Sequence, residues 1–165
     1  MTYLTTVLTD QKTNVSFQKT IVTSSQNVTN SFALVEGGQM SYTPSSSSAE
    51  VMVEFTTTYG RKDPDVSIIF RLQIGDAVES LGDVVSNNID YYNGFGTTTT
   101  SSTTNISDLI TLKYKLAGWS GEKVLQVQCR TYNSSLAYES IVNGTRAKTT
   151  TNILLFNPFM TIYEV

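Results

Sequence analysis

Residues 110–130 read ITLKYKLAGWSGEKVLQVQCR and contain two stretches in which apolar and polar side chains alternate. The apolar residues of these stretches are Ile110, Leu112, Tyr114 and Leu116, then Leu125, Val127 and Cys129. A period of two is typical of a β-strand with one face buried, and the glycine-rich segment Gly118–Gly121 predicts a turn. The region therefore predicts two linked strands, with the thiol of Cys129 buried and inert.

The same alternation recurs through the rest of the chain. It covers residues 15–23, 49–59 and 66–73, and shorter strand segments follow at 153–156 and 160–163. Turn signals separate these segments, and none of them keeps helical spacing over three turns. We therefore predict an all-β protein of roughly eight strands, folded as an antiparallel β-sandwich or jelly roll.

Several turn signals carry specific predictions. Glu36–Gln39 contains two glycines and predicts a turn between two strands. Gly60–Asp65 is suited to a hairpin, and Asn143–Gly144 is the strongest short hairpin dipeptide in the chain. Asn157–Pro158 predicts a bulge, a bend or a sheet edge, because proline donates no hydrogen bond to a neighbouring strand.

The composition excludes several classes of function. Serine and threonine supply 44 of the 165 residues, whereas charged residues supply 15% and histidine is absent. Without histidine the chain cannot build a Ser-His-Asp or Cys-His catalytic site or a His-ligated metal site. A net charge of −3 disfavours nucleic acid and anionic membranes as partners, and no apolar run approaches the roughly 20 residues that span a bilayer. The first residues also lack the basic and apolar regions of a signal peptide.

Acidic residues form two small groups that could supply oxygen ligands to calcium. One group is Asp76, Glu79 and Asp83, and the other is Asp63 and Asp65. Neither group has the spacing of an EF-hand, and no pair of carboxylates is singled out for glycosidase chemistry. We therefore expect no catalytic residue, no metal and no cofactor.

Aromatic residues mark two places where the chain could contact a partner or receptor. Residues 86–105 predict a long surface loop, and Tyr91, Tyr92 and Phe95 cluster near its start. Trp119 lies in a glycine-rich turn. Aromatic side chains often anchor binding surfaces. The alternative is that the loop aromatics pack on the protein's own sheet or on a neighbouring subunit, and that Trp119 caps one end of the barrel.

Four blocks of sequence follow one another from residue 32 to residue 165. They are the strand, Thr-Pro, serine run and second strand of Met40–Phe55, the arginine-and-glycine segment Arg71–Ala77, the strand Thr111–Leu116, and the apolar ending Met160–Val165. In this order they resemble a family of small jelly-roll virion structural proteins of marine and cyanobacterial tailed bacteriophages. The chain departs from the family pattern at Ala49-Glu50, where Ser-Lys is usual, and no Leu-Asp-Ser-Pro-like turn precedes Thr111.

The resemblance implies a tumour-necrosis-factor-like jelly roll that forms a homotrimer, belongs to the virion and catalyses no reaction. Residues 32–165 would form the jelly-roll domain, and residues 1–31 would be an N-terminal arm or first strand that anchors the trimer. The partners would be copies of the same chain and other virion proteins, such as a major capsid or tail protein. A host surface glycan or receptor would be a further partner.

The C-terminal run is apolar on both faces of its predicted strand. Its candidate trimer-interface residues are Phe156, Phe159, Met160, Ile162 and Tyr163. Burial of both faces is expected of a strand that lies inside a sandwich and beside a subunit interface.

These expectations favour a capsid decoration or head-fibre protein, because 165 residues leave no length for a fibre shaft. The alternative within the same class is a tail-fibre tip or receptor-binding adhesin, in which the 86–105 loop touches the host. The alternative from another class is a carbohydrate-binding β domain.

Overall fold

The structure is a computed structural model and describes residues 12–61, 68–75, 77–78, 106–131, 140–146 and 153–165. Within these residues every regular element is a β-strand, and every strand pairing is antiparallel. The prediction of an all-β, antiparallel protein is therefore confirmed. None of the described residues belongs to a helix long and apolar enough to cross a membrane.

Long strands rich in Val, Ile, Thr, Tyr and Phe alternate with short ones, as the β preference of these side chains predicts. In chain order the strands are β1 (Thr13–Lys19), β2 (Gln26–Asn27), β3 (Ala33–Tyr42), β4 (Glu50–Arg61), β5 (Ile68–Ile74), β6 (Ala77–Val78), β7 (Ile106–Ala117), β8 (Lys123–Thr131), β9 (Ser140–Val142), β10 (Gly144–Arg146), β11 (Ile153–Leu155) and β12 (Phe159–Glu164). Strands β10 and β11 form a separate small pair.

The larger sheet, called sheet A, is built around β4. Strand β7 pairs with β4 along its whole length on one side. On the other side, β12 pairs with the first half of β4 and is followed outward by β1, whereas β9 pairs with the end of β4 and is followed by β2. Val53 on β4 lies opposite both Ile162 and Tyr114, so the centre of sheet A is apolar on one face.

The second sheet, called sheet B, has the strand order β3-β8-β5-β6. Leu72 on β5 lies opposite Val127 on β8, and Met40 on β3 lies opposite Leu125. The polar residues between these positions face the other way, because side chains alternate along a strand.

Apolar residues from both sheets form one core. Phe55 and Ile162 of sheet A and Leu72 and Val127 of sheet B belong to the same cluster and are fully buried. Two antiparallel sheets that share one core are consistent with a β-sandwich. Cys129 also lies in this core, and burial raises the pKa of its thiol to about 12, so the predicted buried thiol is confirmed.

The predicted turn at Glu36–Gln39 is wrong. These residues lie inside β3, where the pairing register with β8 shifts between Leu34 and Gln39. Gly37 has a φ of 81°, in the left-handed region that glycine adopts at little cost. The two glycines therefore lie where the register shifts within one continuous strand, as in a β-bulge.

The two predicted hairpins are also wrong. Strand β4, which ends at Arg61, belongs to sheet A and β5 to sheet B, so these two strands do not form a hairpin. Asn143 does have the left-handed φ of 60° that its dipeptide favours, but β9 pairs with β4 and β2 whereas β10 pairs with β11. A turn dipeptide indicates only which local backbone conformation is preferred. Which strands pair depends on how side chains from distant parts of the sequence pack together.

Candidate functional site

The strongest candidate surface lies on β1, the outermost strand of sheet A. The alternation of residues 15–23 predicts a half-buried strand, yet Val15, Phe17 and Ile21 are 54%, 63% and 79% exposed. Three large apolar side chains are therefore in contact with solvent along one short segment. Exposed apolar groups that lie close together mark interaction surfaces more often than isolated ones do.

The backbone of β1 is open on its outer side. On the inner side β1 pairs with β12, with Phe17 opposite Thr161 and Lys19 opposite Phe159. No other strand among the described residues pairs with β1. An open strand edge offers unpaired backbone N–H and C=O groups to another chain.

The corresponding edge of sheet B is covered by side chains. Gln26 donates from Nε2 to the Leu34 carbonyl at 2.7 Å and accepts from the Glu36 N–H at 2.9 Å. Asn143 Nδ2 donates to the Glu36 carbonyl at 3.0 Å. Side chains therefore satisfy backbone groups at the edge of β3, whereas the described residues provide no such bonds to positions 15–19 of β1.

Phe159 extends the exposed surface from β1 onto β12. The rings of Phe17 and Phe159 lie 6.2 Å apart at a tilt of 38°. We call the group Val15, Phe17, Ile21 and Phe159 the β1 edge surface.

The segment that follows β1 is held by the bend before β12. The Thr20 N–H donates to the Pro158 carbonyl at 2.9 Å, and the Val22 N–H donates to Asn157 Oδ1 at 3.1 Å. Strand β11 ends at Leu155 and β12 begins at Phe159, so a break in the strand occurs at the predicted position. These bonds fix the position of Ile21, which lies between Thr20 and Val22.

The candidate interface residues of the C-terminal run occupy different environments. Met160 and Ile162 are fully buried and are covered by the chain itself. Tyr163 is also buried, its hydroxyl donates to Glu54 Oε1 at 2.9 Å, and the Lys12 Nζ lies 4.0 Å from its ring centroid. Phe156 and Phe159 are half-buried and keep some surface for a partner.

Ion pairs lie on the neighbouring part of the outer face of sheet A. Glu54 forms an ion pair with Lys113 at 3.2 Å, and Glu50 forms one with Lys115 at 2.8 Å. Burial raises the pKa of Glu54, but the Tyr163 hydrogen bond and Lys113 outweigh burial and hold that pKa below its ordinary value. Leu109 on β7 is a further exposed apolar residue of this sheet, whereas Val15, Phe17 and Ile21 are exposed within one short segment.

Trp119 closes one end of the sandwich. It is 8% exposed and packs edge-on against the Tyr42 ring at 6.1 Å, with the Lys123 Nζ 5.9 Å from its own ring centroid. The structure thus places Trp119 in the position of a cap and leaves little of its ring for a receptor. The other predicted contacts, Tyr91, Tyr92 and Phe95, lie outside the described residues.

Glu164 is a buried carboxylate that the sequence did not single out. Its Oε1 accepts from Asn14 Nδ2 at 2.8 Å and from the Ser45 N–H at 2.6 Å, and its Oε2 accepts from the Ser45 hydroxyl. Tyr42 also approaches Oε1, at 3.4 Å. The Ser45 hydroxyl, Asn14 and the Ser45 N–H lower the pKa of Glu164 and outweigh the effect of burial. With its oxygens occupied by donors, this carboxylate is suited to joining segments.

No metal centre can be built from the described part of the chain, which contains no group of three or more His, Cys, Asp or Glu side chains able to hold an ion. The acidic residues considered for calcium, Asp63 and Asp65 in one group and Asp76, Glu79 and Asp83 in the other, lie outside the described residues. Comparisons with protein-family models, with curated proteins and with solved structures give no match.

Proposed function

We propose that this chain is a non-enzymatic structural protein of a bacteriophage virion, which folds as a jelly roll and assembles as a homotrimer through the β1 edge surface. The exposed apolar side chains on the open edge strand carry this proposal. A monomer would leave both the side chains and the strand edge in water.

The strand order supports the jelly-roll assignment. If β1, β3, β4, β5, β6, β7, β8 and β12 are numbered one to eight, sheet A has the order 1-8-3-6 and sheet B has the order 2-7-4-5. The first strand then lies beside the last, the second beside the seventh, the third beside the sixth and the fourth beside the fifth. A long antiparallel hairpin wound into two sheets produces this order, and a jelly roll is an eight-stranded double-sheet fold of this kind.

Closed rotational symmetry explains how a second copy would cover the β1 edge surface. Most soluble oligomers contain identical subunits arranged about a rotation axis, so the same surface is buried in every copy. The ion pairs on the neighbouring outer face would then lie at the rim, where polar residues are usual.

The virion assignment is supported by the resemblance of the four sequence blocks. Two of these blocks, Met40–Phe55 and Met160–Val165, meet through the bonds of Tyr42 and Ser45 to Glu164. A shared contact gives a physical reason for the two blocks to occur together. We favour a capsid decoration or head-fibre role over a tail-fibre tip.

Sedimentation measurements test the assembly. The wild-type chain should sediment with three times the chain mass of 18.2 kDa at micromolar concentration. Phe17→Asp places a charge on the β1 edge surface and should shift the protein to the mass of one chain, with little change in the stability of the monomer. Gln18→Asp is the control, because it adds the same charge to the neighbouring exposed position. If the wild-type chain sediments as a monomer, the trimer is contradicted. If Phe17→Asp and Gln18→Asp assemble to the same extent, the β1 edge surface is not the interface.

Labelling the protein on intact particles tests its location. Gold-labelled antibody should mark the capsid, and deletion of residues 91–96 should leave adsorption to the host unchanged. Labelling at the tail tip together with lost adsorption would instead support the adhesin. Absence of the protein from purified particles would contradict the virion role.

A further inference from the structure

The outer face of sheet B carries a connected row of side-chain amides. Gln126 donates from Nε2 to Gln39 Oε1 at 3.0 Å, and Gln128 donates from Nε2 to Gln73 Oε1 at 2.8 Å. These residues lie on three adjacent strands, and strand register brings them together, since Gln126 lies opposite both Gln39 and Gln73. Each amide keeps further hydrogen-bonding capacity, because an NH₂ group has two protons and an amide oxygen has two lone pairs.

Two arginines stack on one aromatic ring beside this row. The Arg71 Cζ lies 3.9 Å from the centroid of Phe32, and the Arg130 Cζ lies 5.0 Å from it. Arg71 is on β5, Arg130 is on β8, and Phe32 immediately precedes β3. The stacking contributes a cation–π attraction, which offsets part of the repulsion between the two guanidinium groups.

Neither arginine has an acidic partner in the described residues. On sheet A, by contrast, Lys113 and Lys115 are paired with Glu54 and Glu50. The Arg130 Nε is buried and has no hydrogen-bond partner in the described chain. Two uncompensated positive charges beside one another favour the approach of an anion.

The surroundings hold Arg71 in a fixed orientation. Its Nε donates to Gln128 Oε1 at 2.8 Å while the Phe32 ring lies against the guanidinium group. No hydrogen bond among the described residues uses its terminal nitrogens. A guanidinium group fixed in this way loses little conformational freedom when it binds a carboxylate with those nitrogens.

We propose that the outer face of sheet B binds a carboxylated saccharide. Arg71 and Arg130 hold the carboxylate, and the amides of Gln39, Gln73 and Gln126 bond to the hydroxyl groups. A ligand that carries both hydroxyls and a negative charge matches this combination of neutral amides and unpaired guanidinium groups. The site lies on sheet B and does not depend on the trimer proposed for sheet A.

Calorimetric titration with hexagalacturonate tests this site, with maltohexaose as the neutral probe. Wild-type protein should bind the acidic probe and not the neutral one. Arg71→Gln and Arg130→Gln should each weaken binding at least about tenfold, the loss expected for a hydrogen bond to a charged group. Lys115→Gln is the control, because it removes one positive charge from sheet A. Equal weakening by all three variants would mean unspecific attraction and would overturn the site.

An NMR titration of the wild-type chain gives a test that needs no variant. The side-chain amide signals expected to shift are those of Gln39, Gln73, Gln126 and Gln128. The signal of Gln18, which lies on β1 of sheet A, should stay unchanged. The proposal is overturned if hexagalacturonate shifts none of the first group, or if poly-glutamate shifts them equally, since an acidic peptide would then be an equal ligand.

Discussion

At the scale of single residues, Glu164 shows how one carboxylate joins distant parts of the chain. Its donors come from β1, through Asn14, and from the segment after β3, through Ser45. In addition, the Val165 N–H donates to the Glu50 carbonyl at 3.1 Å. The C-terminal residues are therefore fixed to both neighbouring segments.

The stability of the protein should fall in acid partly because of Glu164. Its pKa is lower in the folded protein than in the unfolded chain, so its contribution is present above the unfolded value of about 4.3 and is lost as the pH falls through the folded value. Glu164→Gln removes the negative charge that strengthens these hydrogen bonds and replaces Oε2, which accepts from the Ser45 hydroxyl, with an NH₂ group. The substitution should cost about 1–3 kcal/mol of unfolding free energy at pH 7.

Urea unfolding between pH 7 and pH 3 measures this difference. The difference in unfolding free energy between the wild type and Glu164→Gln should become smaller as the pH falls. Glu36→Gln changes an exposed acidic position and is the control. Its unfolding free energy should stay close to that of the wild type over this pH range. A gap that stays constant with pH would contradict the role of the ionised carboxylate.

At the scale of elements, β4 changes partners along its length, and Asn143 occupies the place where the change occurs. The first residue of β12, Phe159, lies opposite Thr56, and the last residue of β9, Val142, lies opposite Tyr59. Between them, the Asn143 N–H donates to the Thr58 carbonyl, and its Oδ1 accepts from the Thr57 hydroxyl at 2.6 Å. Its side chain also reaches Glu36 on β3. One asparagine therefore connects sheet A to sheet B.

Substitutions at Asn143 should separate its hydrogen bonds from its backbone conformation. Asn143→Ala removes the buried side-chain hydrogen bonds and places alanine at a φ of 60°, a left-handed conformation that asparagine adopts more readily. Together these effects should lower the unfolding free energy by about 3 kcal/mol. Asn143→Gly loses the same bonds but accepts this φ, so it should be about 1 kcal/mol more stable than the alanine variant.

Thermal or urea unfolding of the two variants, with Asn30→Ala as an exposed control, measures both contributions. If Asn143→Ala unfolds like the control, the buried hydrogen bonds contribute nothing. If the glycine variant is less stable than the alanine variant, the left-handed backbone conformation is not the reason why substitutions at Asn143 destabilise the protein.

The behaviour of β4 also explains where sequence patterns failed. The alternation of Val51, Val53 and Phe55 predicted the buried face correctly, because one side of the strand packs on the core. Thr56, Thr57 and Thr58 follow as a polar run, yet all three are buried. Neighbouring strands and Asn143 cover these hydroxyls, and no local pattern contains that information.

At the scale of the whole molecule, the sequence predicted the fold class and not the connections. Period-two alternation reports one buried face for each strand, which was enough to predict an antiparallel all-β protein. The predicted hairpin at Gly60–Asp65 failed because β4 and β5 belong to opposite sheets.

Candidate surfaces were harder still to predict. Val15 and Phe17 look like core residues in the sequence but are exposed, because β1 lies at the edge of sheet A. For Trp119 the sequence left both a contact and a cap open, and the packing of its ring on Tyr42 became visible only in the structure. Arg71 and Arg130 are far apart in sequence, and only the pairing of β5 with β8 places both on Phe32. Exposure and long-range proximity both follow from the strand order, which local patterns do not encode.

The position of β12 between β1 and β4 has a consequence for folding kinetics. Asn14 and Glu164 are 150 residues apart in sequence, so β1 cannot take its place in sheet A until almost the last residue of the described chain has left the ribosome. Such distant pairings make a β protein fold slowly. During that delay Phe17 and its neighbours lack the strand that holds them, so early termination within β12 should yield an aggregation-prone chain rather than a smaller folded one.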